Sequence, residues 1–282
     1  MRIHLVAIDL DGTLLNSSKQ ISAVTSAVLR EAGHKAGVRI VLATARPPRS
    51  VMPYYTALDL DTPMINYNGA LVYDPPSKRV LMHRPIPPRT ASGIVALARK
   101  VHPQVLVSAE ILDRWYTDRF DPKYQTETAR SPMFSRPDVL APIAQWLHAA
   151  VTKLLLMAPA VRLKLVAAAV KRKFAHQVIM VQTEDNLLQI MHATVSKAQA
   201  LRVVAAELGV TREQVMAIGD NANDVGMLRW AGIGVAMANA HSDALAAADY
   251  VTDHHDADGA AKAIQDLIIH GKRATKNFQR EL

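Results

Sequence analysis

Two aspartates, Asp9 and Asp11, stand two residues apart where the apolar run Ile3–Ile8 stops. Side chains at i and i+2 of an extended segment point the same way, so both carboxylates are expected at the carboxyl edge of a first strand. That edge is where open α/β sheets bind ligands. Two adjacent carboxylates raise each other's proton affinity unless a cation lies between them or one stays protonated for acid work. The alternative for a lone Asp-Gly, an Asx-turn and cap ahead of Gly12-Thr13, involves no chemistry.

Three further stretches supply polar groups at comparable places. VRIVLATAR ends in Thr44, which can donate to a phosphoryl oxygen or cap a helix, and in Arg46, which suits a substrate phosphate or a rim carboxylate. TVSKAQAL opens a helix with Ser196 as N-cap and Lys197 in the first turn, where a cation opposes the helix dipole. The conflict points to an anion shared between the ammonium and nearby amides, with a solvated surface lysine as the alternative. VMAIGDNANDVGML places Asp220, Asn223 and Asp224 after another strand. Hard oxygen ligands of this kind suit Mg²⁺, which takes one or two protein carboxylates along with substrate phosphate.

The elements that must carry these groups alternate between short apolar runs and helical patterns, which reads as a doubly wound parallel α/β sheet, a Rossmann-like core. Strands are predicted at Ile3–Ile8, Val38–Ala43 and Pro63–Tyr67, a helix over Ser22–Lys35, and a short hairpin from Leu71–Tyr73 and Val80–Met82 after a tight turn at Asn68-Gly69. Prolines 75, 76, 85, 87 and 88 then mark an exit from the first lobe. Residues 1–82 and 194–282 are assigned to the core, and 83–193 to an inserted α/β cap. The cap is predicted to hold helices at Arg89–Val101, Asp138–Ala150 and Val161–Phe174 among four strand-like runs. The core resumes with a helix at Lys197–Leu208, a strand at Val215–Ile218, a helix near Asp224–Trp230, a strand at Gly232–Val235 and a helical finish over Ala260–Ile269. The tail Lys272–Leu282 reads as a frayed end.

Composition narrows the chemistry. The 282 residues contain no cysteine, which removes disulfides, thiolate metal sites and cysteine nucleophiles. The first apolar run is cut by Asp9 and Asp11, and KLLLMAPAVRLKLVAAAV is broken by Arg162 and Lys164, so neither secretion nor membrane spanning is expected and a cytoplasmic location follows. Of the net charge of +8, seven come from His83–Ala193, with 15 Lys+Arg against 8 Asp+Glu. A basic segment attracts phosphorylated metabolites, nucleic acid or anionic lipid, or is simply a solvated face.

Taken together, DLDGTLL, ATAR, VSKAQAL and GDNAND, in this order, resemble the four motifs of the haloacid dehalogenase superfamily of phosphohydrolases, and YNGALV resembles a stretch typical of its Cof-like branch. The resemblance covers nearly the whole chain. It implies a phosphatase of small phosphorylated metabolites such as sugar phosphates, with a cap that acts as a lid and selects the leaving group. Asp9 would be the nucleophile that forms an aspartyl-phosphate, and Asp11 the acid that protonates the leaving alcohol and activates water. Mg²⁺ would sit on the Asp9 carboxylate, the Asp11 carbonyl and Asp220, supported by Asp224. Thr44, Lys197 and Asn223 would hold the phosphoryl group with the amides of Leu10 and Ala45. The branch usually has glycine at Ala45 and Ala198, and an acidic residue or proline at Gly226. These departures predict weaker activity, and Gly226 a helix loosened by about 1 kcal/mol relative to alanine.

A phosphomutase or phosphotransferase of the same fold, and a phosphometabolite sensor without turnover, are the alternatives. Nucleic-acid binding by the basic cap ranks last, because no basic-aromatic repeat accompanies the charge. The His254–Asp258 stretch fits no trusted metal-ligand spacing and reads as a loop before the final helix. Trp115 and Tyr116 read as core or as a stacking platform.

Overall fold

The computed structural model describes residues 2–124, 126–130 and 132–272. Most of the tail singled out above, 273–282, lies outside them. The first segment runs β1 (Leu5–Ile8), α1 (Ala23–Ala36), β2 (Arg39–Leu42), α2 (Pro48–Ala57), β3 (Met64–Asn66), β4 (Leu71–Asp74) and β5 (Arg79–His83). There follow α3 (Pro88–Val101), β6 (Leu106–Ile111), β7 (Arg114–Thr117), α4 (Glu127–Arg130), β8 (Val139–Leu140), β9 (Lys153–Met157), α5 (Ala160–Phe174), β10 (Val178–Glu184) and β11 (Leu187–His192). The last segment holds α6 (Lys197–Glu207), β12 (Val215–Gly219), α7 (Val225–Trp230), β13 (Ile233–Ala236), α8 (Ser242–Ala247), β14 (Tyr250–Val251) and α9 (Gly259–Ile264).

The chain divides into two compact units. One takes the N-terminal segment up to Ala45, Val51–Met82 and the chain from Ser196 onward; the other takes Arg46–Ser50 and His83–Val195. The short piece Arg46–Ser50 thus groups with the inserted residues, although β2 leads directly into it.

In the first unit the sheet order is β14-β13-β12-β1-β2, with every pair parallel. The chain passes from β1 to β2 on one side and returns as β12 on the other, so the β1/β12 boundary is the switch point at which such sheets leave a crevice. Central position explains why β1 reads as a continuous apolar run: Val6 and Ile8 face one apolar cluster, Leu5 and Ala7 the other, and all four are fully buried. Helix α1 begins where Ser22 Oγ accepts from Thr25 N and ends at Gly37, whose left-handed φ of 65° lets its N–H close on Gly33 O. Its buried Thr25, Val28, Leu29 and Ala32 follow the helical period against the core.

The hairpin after the Asn68-Gly69 turn is part of a three-stranded sheet, β3-β4-β5, in which β3 also pairs with β4. Helix α2 was not predicted: three prolines among Pro47–Pro53 argue against one, yet Pro48 occupies the first turn, where no N–H partner is needed, and Pro53 is carried inside. The second unit has its own sheet, β10-β11-β9-β6-β7-β8. The helix predicted over Asp138–Ala150 is absent. Pro142 interrupts that stretch; Val139 and Leu140 instead pair with Tyr116 and Thr117, and Ile143–Gln145 makes one short 3₁₀ turn. Trp115, on β7, is buried as core. Among the described residues no helix is long and apolar enough to cross a membrane.

Candidate active site

The β1 ladder extends one residue past its last strand position, where Asp9 N donates to Ile218 O of β12 at 3.0 Å. The chain then turns sharply, with Leu14 N closing on Asp9 O and Leu15 N on Leu10 O. Asp9 and Asp11 therefore project from the turn rather than from a shared strand face, and they separate. Asp9 is buried. Asp11 is partly exposed and pairs with Lys19 Nζ at 2.7 Å.

The partners of Asp9 come from the last segment. Lys197, placed in the first turn of α6 by the Ser196 cap, sends a fully buried ammonium to Asp9 Oδ1 at 2.7 Å and to Asp224 Oδ1 at 2.6 Å. Asp224 in turn accepts the Asp220 and Asn221 amides on Oδ2, so it is held from both sides. Thr13 Oγ1 donates to Asp220 Oδ1 at 2.9 Å. Gly12 is required here: its φ is 78°, and a Cβ would fall 2.5 Å from Asp220 Oδ2.

Burial drives the Asp9 carboxyl well above the usual carboxylate range; Lys197 pulls it down, while Asp224 and Asp220 push it further up. Asp220 is raised by burial and by Asp224, with Thr13 working in the opposite direction. Burial acts against the Lys197 ammonium, but Asp224 and Asp9 together outweigh it and hold that group above the ordinary lysine value. Three carboxylates around one ammonium leave negative charge uncompensated. Carboxylate oxygens of Asp9, Asp220 and Asp224 all lie within 4.8 Å of one another, a hard-oxygen donor set that fits a divalent cation. Asp224 closes this trio rather than the Asp11 carboxylate, although its oxygens already accept from Lys197 and two amides.

The Tyr67–Ala70 turn is the joint between the remaining motifs. Asn68, at a left-handed φ of 57°, donates its N–H to Thr44 O at 2.9 Å and accepts from Asn223 Nδ2 on its side-chain oxygen at 2.8 Å. Gly69 lies against the turn into α6: a Cβ there would stand 2.3 Å from Ser196 O. Thr44 is buried and its N–H donates to Ile65 O. Among the described residues no acceptor stands on the Leu10 N–H, which leaves that amide available beside Asp9.

Sequence reasoning treated Asn68-Gly69 as a turn and missed that it ties Thr44 to Asn223. It also missed a clamp on the loop after Asp11. Asn239 Nδ2 donates to Gly12 O and Asn239 Oδ1 accepts from His255 N; the His255 ring bonds Leu15 O, and Asp256 accepts from both Ser17 N and Ser17 Oγ. The His254-His255-Asp256 cluster has ligand-like spacing, but His255 and Asp256 are engaged in fastening this loop, and the His254 ring accepts from the Asp256 amide. No short-range pattern announces a contact that spans some 240 residues.

Two of the departures compensate each other. Ala198 carries a methyl group where a glycine was expected, and a Cβ added to Gly226 would lie only 3.3 Å from it. The small residue on α7 makes room for the larger one on α6.

An aspartate at the end of β1, a buried lysine from α6 and paired acids after β12 lie at one switch point, and the sequence pattern of haloacid dehalogenase-like hydrolases matches residues 6–264. The chain is a haloacid dehalogenase-like hydrolase. Its relatives include the phosphatase YwpJ of Bacillus subtilis, 30% identical over 94% of this chain and 100% of that protein. The pyridoxal phosphate phosphatase YbhA of Escherichia coli is 30% identical over 95% of this chain and all of the relative. The crystal structure of a haloacid dehalogenase-like hydrolase from Bacteroides thetaiotaomicron superposes with a TM-score of 0.84 at 28% identity, covering 95% of this chain and 100% of the other. This hydrolase is a phosphatase of the Cof-like branch.

Proposed function

We propose that the hydrolase is a Mg²⁺-dependent phosphatase of small phosphorylated metabolites, sugar phosphates or compounds of similar size, and that it works through an aspartyl-phosphate on Asp9. The observation that carries this reading is the buried Lys197 ammonium, shared by Asp9 and Asp224 and set beside Asp220. A relative whose name specifies pyridoxal phosphate supports the substrate class.

Asp9 forms a bond to phosphorus as the bond from phosphorus to the leaving oxygen breaks, and Asp11 gives its proton to that oxygen. Water then attacks phosphorus, Asp11 recovers a proton from it, and the Asp9–phosphorus bond breaks to release inorganic phosphate. Lys197, the Asn223 side chain, the Thr44 hydroxyl and the Leu10 and Ala45 amides hold the phosphoryl oxygens, and Asn68 orients Asn223. Because phosphoryl transfer is loose, positioning and charge compensation do most of this work. Mg²⁺, held by Asp9, Asp220 and the Asp11 carbonyl with Asp224 in support, would supply further charge compensation for those oxygens.

Phosphate release from p-nitrophenyl phosphate and a panel of sugar phosphates, nucleotides and phosphorylated cofactors, with Mg²⁺ and with EDTA, tests the proposal. Metal-dependent release that disappears in Asp9→Asn is expected. Turnover retained by that variant would refute the nucleophile, and transfer of phosphate to a sugar instead of water would make the enzyme a phosphotransferase.

A further inference from the structure

Between α6 and α7 a cavity of about 420 Å³ opens over the Ala198–Gly226 contact, walled by Ser196, Gln199, Arg202, Arg212, Arg229 and Trp230. None of these side chains belongs to the Asp9, Asp220 and Asp224 group. Three arginines line it. Arg202 lies 5.8 Å from the centre of the Trp230 ring, and Arg212 donates to the backbone carbonyls of Trp230 and Arg229. Those contacts orient Arg202 and Arg212, and a ring face and a carbonyl carry no net charge; the neighbouring Glu213 carboxylate also acts on Arg212.

Among the described residues none of the three arginines forms an ion pair with a carboxylate. Arg49, Arg99 and Arg130 do have one, with Glu110, Asp118 and Glu184, whereas Arg2, Arg30 and Arg39 bond backbone carbonyls as Arg212 does. Three exposed like charges lining one concave patch repel each other and raise the local positive potential. An anion relieves that repulsion. The planar guanidinium fork matches phosphate oxygens two at a time, and the lining is confined to a few residues of α6, α7 and the turn at Arg212.

We propose that this cavity is a second anion-binding site, separate from the catalytic carboxylates, for a small phosphate-bearing ligand of at least two negative charges. Inorganic pyrophosphate is the simplest member of that class. Ser196 and Ala198 flank Lys197 in sequence, so an occupied cavity lies against the turn that delivers the catalytic lysine.

Calorimetric titration of pyrophosphate into the full chain in EDTA isolates this site, because without a metal the catalytic carboxylates repel the ligand. One saturable site is expected in the wild type. Arg202→Ala and Arg229→Ala should each weaken it at least tenfold, and Arg202→Lys and Arg229→Lys less, while all four variants still hydrolyse p-nitrophenyl phosphate with Mg²⁺. Absence of saturable binding, or binding that both alanine variants retain, overturns the proposal. Single-stranded RNA bound more tightly than pyrophosphate, with a steep salt dependence lost in the same variants, overturns the small-ligand assignment in favour of a nucleic-acid surface.

Discussion

Lys197 Nζ stands 2.6 Å from Asp224 Oδ1, and neither side chain reaches solvent. The same ammonium meets Asp9, so one cation holds apart two buried carboxylates from opposite ends of the chain. Removing one partner of a buried ion pair leaves an uncompensated charge and costs about 3–5 kcal/mol. Lys197→Met is expected to lose stability of that order in EDTA, and clearly less with Mg²⁺ present, because a divalent cation at Asp9 and Asp220 takes over the compensation. Urea unfolding under the two conditions measures the difference; equal losses would remove the cation from the account.

Asn68 is predicted to matter through its amide rather than its backbone. Asn68→Gly keeps the left-handed turn without strain but deletes the acceptor for Asn223. kcat/KM should fall about tenfold, which corresponds to the net worth of one well-placed hydrogen bond, while the melting temperature changes little. A loss confined to stability, with kinetics intact, would make the turn merely structural.

Ala198 and Gly226 should be energetically coupled. Alanine at position 226 gains about 1 kcal/mol of helix propensity, but only if the new methyl group has room. The gain is expected in full in the Ala198→Gly background and reduced in the wild type. Denaturation of the two single variants and the double variant completes the cycle, and strict additivity would show that the pair does not interact.

Lys153 links the inserted unit to pH. It faces Glu110 across the β6–β9 ladder, and Glu110 is already held by both guanidinium nitrogens of Arg49. Burial lowers the Lys153 pKa from 10.5 to about 8; Glu110 pulls it up and Arg49 pushes it down further. A lysine whose folded pKa lies below its unfolded value is disfavoured in its charged form by folding. Its contribution to stability is therefore unfavourable below pH 8, improves as pH rises from 8 to 10.5, and vanishes above that. Lys153→Met should be more stable than wild type by up to about 3 kcal/mol at pH 7, with the gap closing by pH 10.5. A pH-independent difference would mean that Lys153 titrates normally.

Much of the fold was legible in the local pattern. The buried run of β1, the Ser22 and Ser196 caps, and the switch of period between strands and helices depend on neighbours a few residues away, and burial on both faces leaves a central strand little choice of residue. Two proline-bearing stretches differ from expectation in opposite directions: Pro53 is carried inside α2, where no helix was predicted, whereas Pro142 interrupts the helix expected after Asp138. The cost of a proline is local, but the packing that offsets it is not. The candidate site residues were likewise open to selection, because Asp9, Asp11, Thr44, Lys197, Asp220, Asn223 and Asp224 lie in short stretches at element ends. Their surroundings were not. Two carboxylates two residues apart look equivalent in the chain, and only tertiary structure buries Asp9 against Lys197 while turning Asp11 toward Lys19. The joint at Asn68, the His255 and Asn239 clamp, the accommodation of Ala198 by Gly226 and the arginine-lined cavity are also tertiary facts. Each depends on groups that the parallel sheet brings together across tens or hundreds of residues, and sequence spacing carries no record of such distances.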